Sequence, residues 1–155
     1  MLDRLKTYLG VEGVRLGFDP PVVASRETGV VSGGLVLETL RVQRVSSLSI
    51  RLTERYARGR GRHKRIDEYL LGESEVTCDL TIRPGESVVV PFALRFAERR
   101  TTIAAQLDRF GPLSSPLTKM ALLSYAAEST YDLTAAATVA GVALQPVCSM
   151  PITLE

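Results

Sequence analysis

Residues 75 to 96 read EVTCDLTIRPGESVVVPFALRF. Before the central Pro-Gly, Val76, Cys78, Leu80 and Ile82 alternate with Thr77, Asp79 and Thr81. After it, Val88, Val90, Phe92, Leu94 and Phe96 keep the same period of two. Successive strand side chains point to opposite faces, so each half predicts a half-buried β-strand. Apolar faces of this kind need a second layer to cover them, and the stretch therefore predicts a sandwich.

Parity restricts how the two strands connect. With a two-residue Pro84-Gly85 loop, Arg83 would face Glu86 and Ile82 would face Ser87. The two apolar stripes would then fall on opposite faces, which a one-sided core forbids. Pro-Gly at the centre of a turn also favours type II geometry, which splays hairpin strands. Two arrangements remain. Either Pro84-Gly85-Glu86 forms a three-residue loop that pairs Ile82 with Val88, or the strands belong to opposing sheets. Pro91 has no N–H to donate, so its strand belongs at an edge or at a bulge.

The whole chain has 155 residues, 45% hydrophobic and 23% charged, with a formal net charge of +2. That length suits one domain with a sizeable core, and the charge is too small to imply a nucleic-acid partner by itself. Two cysteines make no disulfide framework, and Cys78 reads as a reduced, buried thiol. Asp3, Arg4 and Lys6 interrupt the start, so no secretory signal is read there. Residues 133 to 154 lack charge, but Gly141, Gln145, Pro146 and Pro151 argue against a membrane span. A cytoplasmic location is the expectation.

Working outward, Leu2, Leu5 and Leu9 ahead of Gly10 predict a short amphipathic helix over 1–10, with residues 11–155 as one domain. Val14, Leu16 and Phe18 alternate until Asp19-Pro20-Pro21 breaks the run, and Val22-Val23 resumes it. Ser32-Gly33-Gly34 punctuates the next segment, with a strand starting at Leu35. Val45, Leu48, Ile50 and Leu52 form another strand; RIDEYLL (65–71) returns as a strand, and Gly72-Glu73-Ser74 links it to the central stretch. Ile103, Leu107 and Phe110 fit helical spacing. Leu117, Met120, Leu123 and Ala127 predict a short helix near 117–127, although Leu122, Leu123 and Tyr125 also suit a strand. Tyr131, Leu133, Ala135 and Ala137 alternate, and Val142 to Leu154 reads as a last strand pair. Short strands with breaks about every ten positions point to an all-β sandwich.

Residues 55 to 65, RYARGRGRHKR, form the one candidate site. Arg55, Arg58, Arg60, Arg62, Lys64 and Arg65 are six of the nineteen Lys and Arg residues; His63 is the single histidine, and no carboxylate intervenes. Gly59 and Gly61 predict a mobile hairpin tip. Such a cluster can grip phosphates of lipid, nucleic acid or a phosphorylated partner. The alternative is a solvated tip that aids solubility and discourages edge pairing. Tyr56 is its one aromatic, so stacking on single-stranded bases is poorly supported. His63 has no nearby ligand or carboxylate cluster, which speaks against zinc and against an oriented general base. No phosphate-cradling glycine motif occurs in its strand-to-helix context. Asp67 and Glu68 are adjacent on a strand and so point to opposite faces. The expectation is a non-enzyme with no cofactor and no metal.

VSGGLVLETLRVQRVSSLSIRLTERY (31–56), YLLGESEVTCDLTIRPGESVVVPFALRF (69–96) and YDLTAAATVAG (131–141) together resemble the arrestin-like lobe, and within it the bacterial sporulation-control proteins. The likeness rests on the Gly-hydrophobic strand at 34 to 37, the strand ending Thr53-Glu54-Arg55-Tyr56, the Pro-Gly-Glu turn before Val90-Pro91-Phe92 and the late Tyr-x-Leu-x-Ala strand. It covers most of residues 12 to 155. Those proteins carry two such lobes and this chain has room for one, while residues 97 to 129 match poorly. The resemblance implies an arrestin-like (immunoglobulin-like) two-sheet sandwich of seven to nine strands. It also implies a non-catalytic scaffold or regulatory adaptor that binds proteins through edge strands and loops, with a homodimer as one form. The alternative function is a module binding anionic ligands, an anionic membrane surface or nucleic acid, through residues 55 to 65.

Overall fold

The two halves of residues 75–96 lie in different sheets. The computed structural model describes residues 13–59, 61–98 and 128–155, with His63 by its backbone alone. The short helices expected over 1–10 and near 117–127 lie outside the described residues. Seven strands follow in order: β1 (Val14–Ser25), β2 (Val30–Thr39), β3 (Gln43–Arg58), β4 (Arg65–Ile82), β5 (Ser87–Arg95), β6 (Glu128–Val139) and β7 (Val147–Ile152). One sheet has the order β1-β2-β5 and the other β4-β3-β6-β7. All neighbours are antiparallel.

Arg83 to Glu86 make the connection. The Glu86 N–H donates to the Arg83 carbonyl at 3.1 Å, and the Arg83 N–H donates to the Glu86 carboxylate at 3.2 Å. Gly85 has φ of +82°, the sign that the second central residue of a type II turn requires. The splay of that turn, unfavourable for a hairpin, here hands the chain from one sheet to the other. Of the two arrangements that parity allowed, the crossing is the one formed. Ile82, Phe92 and Leu94 are buried, and Val76, Cys78, Leu80, Val88 and Val90 pack half-buried against the same core. Val89, of opposite parity, is 52% exposed. Pro91 sits in β5, an edge strand among the described residues, the position in a sheet where proline is tolerated.

Leu48, Ile50 and Leu52 in β3 are fully buried against Leu35, Leu37, Leu94 and Leu133 within one core. The stripe begins at odd-numbered Val45 because the register shifts between Val45 and Ser47, which puts Val45 on the same inner face as Leu48. The far end is closed by buried Leu154 and by the Glu155 N–H, which donates to the Ala24 carbonyl at 2.9 Å.

Three expected breaks are not breaks. β4 runs unbroken through Gly72-Glu73-Ser74. Gly72 is there because a Cβ would collide with the Arg95 carbonyl oxygen, where the opposing sheet crosses over β4. Ser32-Gly33-Gly34 lies inside β2, since Cβ atoms at the two glycines would meet Val22 and Val89 at 3.0 Å. β1 continues through Asp19-Pro20-Pro21 by a register shift between Asp19 and Val23, with a cis bond between the prolines. The expected last strand pair is one strand, β7. The segment before it is fixed instead by Gln145, whose Oε1 accepts the Val139 N–H at 2.6 Å.

Candidate functional site

The β3–β4 hairpin gathers the basic residues at its tip. Arg55 and Arg58 end β3, Arg62 and His63 lie in a single 3-10 turn (Gly61–His63), Lys64 follows, and Arg65 opens β4. Arg60 lies outside the described residues. Gly59 and Gly61 have φ of +85° and +61°, the left-handed conformations that reverse the chain here. The Lys64 N–H donates to the Gly61 carbonyl at 3.3 Å.

Register decides which of these charges are compensated. Arg55 faces Glu68, Tyr56 faces Asp67, Ala57 faces Ile66 and Arg58 faces Arg65. The Arg55–Glu68 and Arg58–Asp67 pairs both stand at 3.4 Å. Asp67 and Glu68 thus serve opposite faces, as their adjacency requires. These exposed pairs contribute at most about 1 kcal/mol each. Arg62, Lys64 and Arg65 are exposed and form no ion pair among the described residues. Sequence reasoning placed the tip and set Asp67 and Glu68 on opposite faces, but missed their pairing with Arg58 and Arg55.

It also missed a second polar group on the inner face beneath the hairpin. Glu54 continues the buried stripe of Leu48, Ile50 and Leu52 and is 3% exposed. The Ser129 hydroxyl donates to Glu54 Oε1 at 2.7 Å, and Glu54 lies across from Tyr69 in β4 and Tyr131 in β6. From the β1–β2 turn, the Arg26 Nε–H donates to Glu98 at 2.9 Å, and the guanidinium also interacts with the Tyr131 hydroxyl. Burial, then the negative charge of Glu54, pushes the Tyr131 hydroxyl above the usual tyrosine range; the Arg26 hydrogen bond opposes this. The hydrogen bond to Glu98, then that to Tyr131, raises Arg26 further. This network joins four separate segments and has the character of a structural tie. Its signal in the sequence was a carboxylate at inward parity within an apolar stripe.

Neither cysteine has the environment of a nucleophile. Burial pushes the Cys148 thiol up to about 12, and desolvation raises Cys78, which is half-buried and not fully buried as expected. Among the described residues no three His, Cys, Asp or Glu side chains converge as a metal site. No helix among them is long and apolar enough to cross a membrane.

Two facing antiparallel sheets make the chain a β-sandwich. It shares that fold with Spo0M, the sporulation control protein from Bacillus subtilis. The match covers 95% of this chain and 50% of that one, with a TM-score of 0.55 and 16% identity. The chain therefore spans about half the length of Spo0M, and the likeness is one of fold. A protein from Archaeoglobus fulgidus aligns over 94% of this chain and 100% of its own at TM-score 0.40 and 11% identity. The ligand binding region of serine-glutamate repeat protein A of Enterococcus faecium aligns over 87% and 89% at 0.35 and 13%. No protein-family profile matches the sequence, and no curated protein matches it.

Proposed function

We propose that this chain is a non-catalytic, arrestin-like interaction module that binds a protein partner by adding a strand to β4. The observation that carries the reading is the position of β4: eighteen residues long, without proline, at the edge of its sheet among the described residues. One contact to its outer side is the Ala97 N–H, which donates to the Leu71 carbonyl at 3.1 Å. Backbone groups along such an edge are a template for another strand, with affinity from the ladder and specificity from alternate side chains. The sandwich shared with a sporulation control protein supports a regulatory role.

The test is amide hydrogen exchange on the protein alone and with the partner recovered by affinity capture, which includes a second copy of itself. Protection gained along Glu73–Ile82 is the expected result. A bound partner that leaves those amides unchanged, or a strict monomer that captures nothing, overturns the reading. A second reading, anion binding at the hairpin tip, is favoured by Arg62, Lys64 and Arg65, which form no ion pair among the described residues.

A further inference from the structure

The geometry points to the β3–β4 hairpin tip as a contact for an anionic phospholipid surface. This deepens the second reading above and is independent of strand addition along β4.

The hairpin extends past the last described residues of the opposing sheet. That sheet ends where the Ala97 N–H meets the Leu71 carbonyl and the Arg95 carbonyl lies against Gly72. β4 runs six residues further, from Leu70 to Arg65, about 20 Å at the usual rise per residue. β6 accompanies the hairpin only as far as the Ala57–Glu128 pair. Among the described residues the hairpin is therefore one end of the molecule, and charge is concentrated there. Residues 55–68 hold six basic residues against two carboxylates, a surplus of four; with a total of +2, the rest of the chain has a deficit of two. An anionic surface would draw this end forward.

Lipid is favoured over nucleic acid by what lies beside the charges. Ile66, next to Arg65, is 49% exposed, and Leu70 on the same face is 54% exposed. An interfacial hydrocarbon layer takes up such side chains, whereas a phosphodiester backbone gives them nothing. Nucleic acid would call for exposed rings or a groove, yet Tyr56 is 7% exposed and faces inward. Glu128 and Asp132 stand on the β6 side of the same outer face. They are repelled by an anionic surface, whereas Glu68, between Ile66 and Leu70 on that face, is paired with Arg55, so contact is made by the tip and the β4 side.

The experiment is co-sedimentation of the full chain with vesicles containing roughly a third anionic phospholipid, against phosphatidylcholine alone, over a salt series. Binding is expected only to the anionic vesicles and falls as salt rises. Each basic residue near such a surface contributes about fivefold in partitioning, so replacing Arg62, Lys64 and Arg65 together by Gln lowers it on the order of 100-fold. Replacing Arg62 and Arg65 by Lys preserves binding. Ile66→Ser lowers it about tenfold with the charge unchanged. These positions are exposed, and far-UV circular dichroism checks that each variant folds. Failure to bind anionic vesicles at low salt overturns the proposal. So does binding that is indifferent to Ile66→Ser and displaced equally by oligonucleotides, which would mark a sequence-blind nucleic-acid grip. Neither failure touches the edge of β4.

Discussion

Gly72→Ala probes the crossing of the two sheets directly. A methyl at this position stands well inside 3.0 Å of the Arg95 carbonyl oxygen and 3.1 Å from Phe96 Cα. Both atoms are backbone, so relief requires the chain at 95–97 to move away from β4. Overpacking of this kind costs about 1–3 kcal/mol. The Ala97 to Leu71 hydrogen bond goes with the displacement, about 1 kcal/mol more. Alanine also restricts the unfolded chain, which offsets about 0.4–1 kcal/mol. The net expectation is a loss of about 1–3.5 kcal/mol, centred near 2. Gly33→Ala is the comparison: its Cβ meets Val22 Cγ2 at 3.0 Å and Phe92 Cζ at 3.2 Å, side-chain atoms that can rotate aside. Its cost should be the smaller of the two, since only side chains and no backbone atom have to give way. Urea unfolding followed by far-UV circular dichroism reads both. At an m-value of about 2 kcal/mol/M, Gly72→Ala lowers the midpoint by about 1 M with an unchanged slope. A Gly72→Ala midpoint equal to or above that of Gly33→Ala would refute the close-approach account.

Two further outcomes follow from the buried groups. Cys148 has its thiol raised by burial from 9.0 to about 12, so its contribution is complete below pH 9 and is lost as pH rises toward 12. At pH 10.5 the loss relative to pH 8 is about 2 kcal/mol, and it should be absent from the same denaturation difference measured on Cys148→Ala. Glu54→Gln removes the negative charge that helps raise Tyr131, so the ultraviolet titration of Tyr131 should move to lower pH. A titration left in place would show that the Glu54 charge does not act on that hydroxyl.

The sheet crossing was legible because parity is an exact count: even-numbered apolar residues before Pro84 and even-numbered ones after it cannot share a tight hairpin. The tip was legible from Gly59, Gly61 and six basic residues. The compensation of Arg55 and Arg58 was not, because it depends on register; once Arg58 faces Arg65, Arg55 must face Glu68. Gly33, Gly34 and Gly72 were misread as breaks for a different reason. Glycine signals a turn when the chain itself bends and a strand interior when another segment comes close, and only the second segment's position tells them apart. Glu54 was passed over because a carboxylate following Leu48, Ile50 and Leu52 looks like an outward residue until its partner Ser129, 75 positions away, is known.

The turn at Pro84-Gly85 also has a kinetic consequence. β3, β4 and β5 follow one another with short connections, so a hairpin and its cross-layer neighbour can assemble at little cost in loop closure. β6 must instead find β3 from far along the chain, as the Ser46 to Thr138 bond across 92 positions shows. Contacts of that span slow folding into the millisecond-to-second range typical of β-sandwiches. An early species would hold the β3–β4–β5 unit with one side of β3 still bare. On a ribosome, that bare side waits until residues 128–139 have been synthesised.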